Sequence, residues 1–568
     1  MSYSTRNRPT PTGHGLLRTA SVVLVAVTWV ITQSQSLSAQ SSRLRPLARN
    51  RTTQESGTQN PLPKAQPATK TSDQGNSKSA EVAKPTEDPP ITVATQEEKN
   101  QKIAEDWEDP WLVFYITGNQ YGYLEPCGCT GLENQKGGIN RKDTLLSSLR
   151  KRGWQILPLD AGDQVRRDGT QSEIKFHWTT QALRQMDYAA TTFGGKDLML
   201  SDNILVSILD ENGNNKLFVS ANVGMLPDFD LPFKVVTVQG PDRQPRKIGI
   251  TGIVGEENLK AYLARNQGFF TVNPPIPAAQ EIATKLEAEG CDYKILLVSA
   301  TIEETRKIVQ AVPKFDLVIT TGGLGEPTFR PEILPGVKSE IVQAGTKGMY
   351  AGIIGLFNNP NQKTRYQRIA LSSQFEDSQR MLELFGKYQD ELKAKADDHF
   401  SSLGLRPVNH PSSHEFVGSE KCGECHTTAF DIWRKTPHAH ATDSIVSPPE
   451  RSIARHFDPE CISCHVTGWN PQKVFPYRTG YDTLEASVHL HGNGCENCHG
   501  PGSEHVTAEL DANADRKLLE QLRASMQLPL AKAQDKCLEC HDIDNSPAFH
   551  KTGAFETYWE KVKHIGKD

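Results

Sequence analysis

Six short apolar runs rich in β-branched residues punctuate one stretch of the chain: WLVFYITG (111–118), QILPLDAGD (155–163), KLFVSANV (216–223), KIGITGIVG (247–255), YKILLVSA (293–300) and DLVITTGG (316–323). Between them, apolar residues recur three and four positions apart, as over 276–290 and 301–313. Buried strands alternating with amphipathic helices predict an α/β layered sandwich, and 341–373 adds two or three further strands. A helix is expected at 379–400, with Met381, Leu382, Leu384, Phe385, Tyr388 and Leu392 on one face. It reads as a docking helix or semi-rigid linker, loosened afterwards by two prolines in 403–414.

Before this stretch the pattern fails. Arg6, Arg8 and Arg18 precede the apolar run Val22–Ile31, and small residues follow at Ser36, Ser38 and Ala39. This is the layout of a secretory signal. The run is about half of the ~20 residues that span a bilayer, so cleavage near Ala39 is expected; an uncleaved segment would tether the protein to a membrane. From Gln40 to Asp106 there is no Phe, Tyr or Trp. Such a segment cannot bury enough apolar area to offset chain entropy and is expected to be a disordered tether.

Composition changes the picture through two residue types. The 568 residues are 36% hydrophobic and 7% aromatic with a net charge of −5, and the mean hydropathy is −0.52. These values exclude a polytopic membrane protein and give no electrostatic reason for nucleic-acid binding. Yet 12 of the 17 His and 8 of the 11 Cys lie after residue 420. There the motif C-x-x-C-H occurs four times: Cys422, Cys425 and His426; Cys461, Cys464 and His465; Cys495, Cys498 and His499; Cys537, Cys540 and His541. Chance predicts about 0.006 occurrences at this composition.

Two cysteines three positions apart present thiols to the two vinyl groups of haem, and the adjoining His supplies the proximal iron ligand. Zinc held by C-x-x-C pairs needs no His after every second Cys, so four covalently attached haem c groups are the expectation. The region has few large aliphatic side chains; covalent haem would supply both cross-link and core. Its 16 Lys+Arg against 23 Asp+Glu over 415–568 favour redox partner proteins with a basic docking face. Eight other His remain for distal ligation: His438, His440, His456, His489, His491, His505, His550 and His564.

Two family resemblances are carried by ordered motifs. Gly137-Gly138-Ile139-Asn140-Arg141, Leu159-Asp160-Ala161-Gly162-Asp163, Asp187-Tyr188-Ala189, Ser220-Ala221-Asn222-Val223 and Val342-Gln343-Ala344-Gly345 resemble the calcineurin-like metallophosphoesterase domain of the 5′-nucleotidase family. That family holds two divalent metals on strand-end loops. Its D-x-H-G aligns here with Asn119-Gln120-Tyr121-Gly122, its G-N-H-E with Gly194-Gly195-Lys196-Asp197 and its G-H-x-H with Gly322-Gly323-Leu324-Gly325. Only Asp163 of the expected ligands survives, and one carboxylate without His partners does not hold a metal pair. The pair Cys127-Gly128-Cys129 follows the first strand; a soft metal, redox chemistry or a disulfide involving Cys291 are its open readings.

The C-terminal region resembles the multihaem cytochrome c family that includes tetrahaem carriers serving hydroxylamine oxidation. Its marks are Val417–Cys422 with Trp433 and His438, Cys461–Gly468, Gly494–Gly502 with His505, and a final Trp559 with His564. The resemblance implies His438, His505 and His564 as distal ligands, with His491 or His440 as the fourth.

The expected organisation is a signal peptide (1–39), a disordered linker (40–106), a metallophosphoesterase-like α/β domain (107–375), a helical linker (376–414) and a mostly α/irregular tetrahaem cytochrome c domain (415–568). The expected function is electron transfer in the periplasm or an equivalent compartment, with the α/β domain a scaffold or binding module. The rivals are an active phosphoesterase or nucleotidase with a redox module, and a haem oxidoreductase acting on a small nitrogen or sulfur compound.

Overall fold

The computed structural model describes residues 93–566, apart from 127–130, 211–215, 226–230, 266–268, 324, 397–399, 450 and 544. The signal segment, most of the expected linker, Cys127 and Cys129 therefore lie outside the described residues. Among the described residues no helix is long and apolar enough to cross a membrane.

Two five-stranded sheets face each other. The first runs Thr364–Ala370, Tyr350–Leu356, Leu112–Thr117, Ile156–Asp160, Ala190–Thr191; the second runs Glu340–Gln343, Leu317–Thr320, Tyr293–Ser299, Pro245–Val254, Phe233–Gln239. Side-chain alternation decides the packing. Leu112, Phe114 and Ile116 point between the sheets onto Ile250, Ile295, Leu297 and Ile319. Val113 and Tyr115 point the other way, onto helices Ile139–Arg150 and Thr170–Gln185. Helices Pro275–Ala288 and Ile302–Ala311 cover the outer face of the second sheet through Ile282, Leu286, Ile308 and Val309. The result is a helix–sheet–sheet–helix sandwich, as the alternation predicts.

Three expectations need correction. The run 216–223 contributes only an isolated bridge at Phe218 and the short strand Val223–Gly224. The strand Phe233–Gln239 has no counterpart among the six apolar runs; it is half-exposed and pairs at an edge with Pro245–Val254, so its apolar pattern is weak. The linker does not extend to residue 106. Residues 93–106 are seated on the first sheet: Thr95 and Glu98 form a capping box, Gln101 donates to the Arg368 carbonyl, and Glu98 pairs at 2.8 Å with buried Lys136.

The helix Gln379–Ala396 is more than a linker. It buries Met381, Leu384, Phe385, Tyr388 and Leu392 in a core that also holds Tyr115, Leu145, Ile462, Val466 and Trp469. The sandwich and the cysteine-rich region thus share one continuous core. Beyond residue 415 the chain is short helices and irregular segments, with one two-stranded ladder of Trp469–Asn470 and Phe475–Pro476.

Candidate functional sites

Strand-end loops of both sheets converge on Asp163. Asn119, Tyr121 and Asp163 all adopt left-handed backbone, with φ of 49°, 52° and 59°. Such conformations are uncommon outside glycine and cluster where structure over-determines them. Gly162 permits the tight approach: its φ is +92°, and a Cβ there would sit 2.7 Å from the Thr192 carbonyl.

The donor set differs from a metal site. The Asn119 amide nitrogen donates to the carbonyls of Thr321 (2.9 Å) and Gly345 (2.5 Å). Asp163 accepts from the Ser299 hydroxyl at 2.8 Å, and burial raises its carboxyl. Asp197 accepts from the backbone N–H groups of Gln164, Val165 and Gly194; burial and nearby Asp163 push it up to about 7. Among the described residues no three His, Cys, Asp or Glu side chains converge as a metal cage. Leu324 lies outside the described residues.

Sequence reasoning missed Lys142, which is fully buried behind this pocket and donates to Gln120 Oε1 at 2.6 Å. Burial lowers its pKa to about 8, against an opposing pull from Asp160. A lysine whose folded pKa lies below its unfolded value of about 10.4 makes stability rise with pH through that window. Stability is therefore expected to increase between about pH 8 and 10. In Lys142→Met the urea midpoint should lose that rise; an unchanged slope would contradict the burial argument.

In the C-terminal region the four C-x-x-C-H motifs sit on or at the ends of short helices, Ser419–Gly423, Pro459–His465, Cys495–His499 and Leu530–Leu538. Among the described residues no disulfide joins two cysteines. The Cys422 and Cys495 thiols interact, as do those of Cys464 and Cys540, so the first motif neighbours the third and the second neighbours the fourth.

The histidines fit the group these motifs imply. Two imidazoles across one iron, each bonded at about 2 Å, have centroids about 6 Å apart. His426 faces His505 at 6.3 Å, His499 faces His564 at 5.8 Å, and His541 faces His438 at 6.0 Å. The Nδ1 atoms are tied elsewhere: His465 to the Ala441 carbonyl (2.8 Å), His499 to the Met526 carbonyl (2.6 Å), His541 to the Ser546 hydroxyl (3.0 Å) and His564 to the Val562 carbonyl (2.9 Å). Such bonds fix the tautomer that leaves Nε2 for a metal. Burial and neighbouring imidazoles lower His541 to about 4, keeping the neutral, ligating form.

His491 is not brought to a motif histidine; its Nε2 contacts the Leu484 carbonyl at 3.0 Å and its ring faces Tyr481. His440 is exposed near Asp443. Among the described residues no imidazole faces His465 as the other three are faced.

Residues 421–500 match the family described as cytochrome c554 and c-prime, and the sandwich is similar to 5′-nucleotidases. The chain thus joins a 5′-nucleotidase-like α/β domain to a cytochrome c554-like region. The particular relatives include cytochrome c-554 of Nitrosomonas europaea, 35% identical over 98 residues, 15% of this chain and 39% of that protein. The snake venom 5′-nucleotidase of Crotalus adamanteus is 24% identical over 252 residues, 40% of this chain and 41% of that enzyme. The chain therefore spans about two-fifths of the length of these relatives. A 5′-nucleotidase precursor of Thermus thermophilus aligns in structure at 19% identity and a TM-score of 0.42, over 59% of this chain and 66% of that one.

Proposed function

We propose that the protein is an exported electron-transfer cytochrome carrying four covalent haem c groups, with the 5′-nucleotidase-like domain as a catalytically inactive scaffold. The observation that carries this reading is the set of three facing imidazole pairs at the separation of two ligands on one iron. His426, His499 and His541 would be proximal ligands, with His505, His564 and His438 opposite them. His465 would be the fourth proximal ligand. When bound, haem supplies one-electron Fe(III)/Fe(II) chemistry. The chain's part is to space the groups: the interacting thiol pairs Cys422/Cys495 and Cys464/Cys540 support two closely packed haem pairs and a path between them.

A second reading, a haem oxidoreductase acting on a small nitrogen or sulfur compound, is favoured by the lack of an imidazole facing His465 among the described residues. Electron paramagnetic resonance of the matured protein tests the ligand set on which both readings stand. Three low-spin signals and one high-spin signal are expected, and His564→Ala should convert one low-spin signal to high spin. Four low-spin signals would remove the second reading. The inactive scaffold is tested by phosphoester hydrolysis with added Mn²⁺ or Mg²⁺, where no turnover abolished by Asp163→Asn is expected.

A further inference from the structure

The α/β domain reaches the second C-x-x-C-H motif through ion pairs. Glu460, immediately before Cys461, accepts a hydrogen bond from Lys175 at 2.6 Å and forms an ion pair with Arg167 at 3.7 Å. Both cations come from the α/β domain: Lys175 lies in Thr170–Gln185 and Arg167 in the loop before it. The Lys175 side chain is 10% exposed, and its stem packs over Gly122, in the loop beside the emptied metal pocket. Asp458, which caps the motif helix, is held by Gln171 (2.7 Å) and Tyr388 (3.0 Å). The charged groups facing Cys461 are therefore Lys175 and Arg455 on the positive side and Asp458 and Glu460 on the negative side. Arg166 and Arg167 add positive potential at Glu460, and Arg455 is itself bonded to Glu125.

We propose that the α/β domain sets the reduction potential of the haem attached at Cys461 and Cys464, with Lys175 as the positioning charge that cancels Glu460. The inference rests on the haem-attachment reading above. One electron added to the iron lowers its positive charge by one, so a nearby cation favours the reduced form and an unpaired carboxylate favours the oxidised form. Lys175 is 10% exposed and Glu460 32%, so solvent screens this influence only in part. Burial alone would raise the Glu460 carboxyl, but Lys175, Arg167 and Arg166 outweigh it and hold it at about 2. The carboxylate is thus a fixed negative charge whose effect depends on its partner. In this view the sandwich keeps its site-facing helix because the helix tunes an electron carrier.

The test is spectroelectrochemical titration of full-length protein matured with haem, in wild type, Lys175→Met and Lys175→Met/Glu460→Gln. The methionine keeps the stem over Gly122. In the single variant one haem midpoint should fall, by about tenfold in its oxidised-to-reduced ratio at fixed potential (about 59 mV for one electron). The double variant should restore it, and the other three midpoints should stay in place. Unchanged midpoints in a single variant that carries all its haems would overturn the inference, as would an equal shift of all four. Loss of haem at Cys461 and Cys464 already in wild type would instead overturn the haem reading on which it rests.

Discussion

Chain produced without haem attachment is expected to lose those C-terminal helices that do not reach the shared core, while the sandwich stays folded. The helices Thr427–Trp433, Arg516–Ser525 and Ala554–Val562 bury no residue at all. Leu510, Leu518, Leu530 and Tyr558 are exposed. Isolated helices of this length are marginal in water, and most helical stability comes from packing an apolar face. With little side-chain core beyond contacts such as those of Phe549 with Phe555 and Tyr558, those faces are expected to pack on porphyrin. Amide hydrogen exchange in Arg516–Ser525 and Ala554–Val562 should be at least about a hundredfold faster in haem-free than in matured protein. The strands Leu112–Thr117 and Tyr293–Ser299, fully or largely buried, should keep their protection in both. Equal protection of the C-terminal helices in the two forms would show that haem is not their core.

The second large effect is expected at Glu125. This carboxylate, at the end of the first site loop, is 10% exposed and takes two arginines from the cysteine-rich region. Arg451 bonds it at 2.9 Å, and Arg455 bonds it through Nε at 3.0 Å and also through Nη2. Arg451 further donates to the Pro126 carbonyl and to Gln135 Oε1. Removing one partner from a buried ion pair leaves an uncompensated charge and costs about 3–5 kcal/mol. Glu125→Ala should therefore destabilise the folded chain by about 3 kcal/mol in urea unfolding. Adding Arg455→Met should recover part of the loss, because one stranded cation is then gone. A loss below about 1 kcal/mol would mean that these arginines are solvated and that the contact holds little.

Much of the fold is legible in the sequence because its strands are buried on both faces. Runs such as YKILLVSA (293–300) carry their own evidence, and the helices between them show a 3.6-residue repeat. The edge strand Phe233–Gln239 is not legible, since half-exposed positions dilute the pattern. Residues 93–106 carry no aromatic to betray their packing; their order comes from groups far away in sequence, such as the Gln367 and Lys136 side chains and the Arg368 carbonyl. The attachment motifs are plain because covalent chemistry fixes their spacing. The facing histidines are not fixed by spacing: His438 and His541 are about a hundred positions apart, and only folding brings their rings together. Lys142 and the Arg451–Arg455–Glu125 contact leave no local trace, because a buried charge is defined by neighbours from other segments.

The loops around Asp163 are tied down by their own side chains. The loops have left-handed backbone at Asn119, Tyr121 and Asp163, and the side chains of Asn119, Asp163 and Asp197 bond to carbonyls, a hydroxyl and backbone N–H groups. A fold can outlast the chemistry of its site. The most direct test of the account is the intact mass of the matured protein with a haem count for each C-x-x-C-H motif. The account predicts four covalent haems, one each at Cys422/Cys425, Cys461/Cys464, Cys495/Cys498 and Cys537/Cys540; any of these pairs found as free thiols or bound to zinc would contradict it.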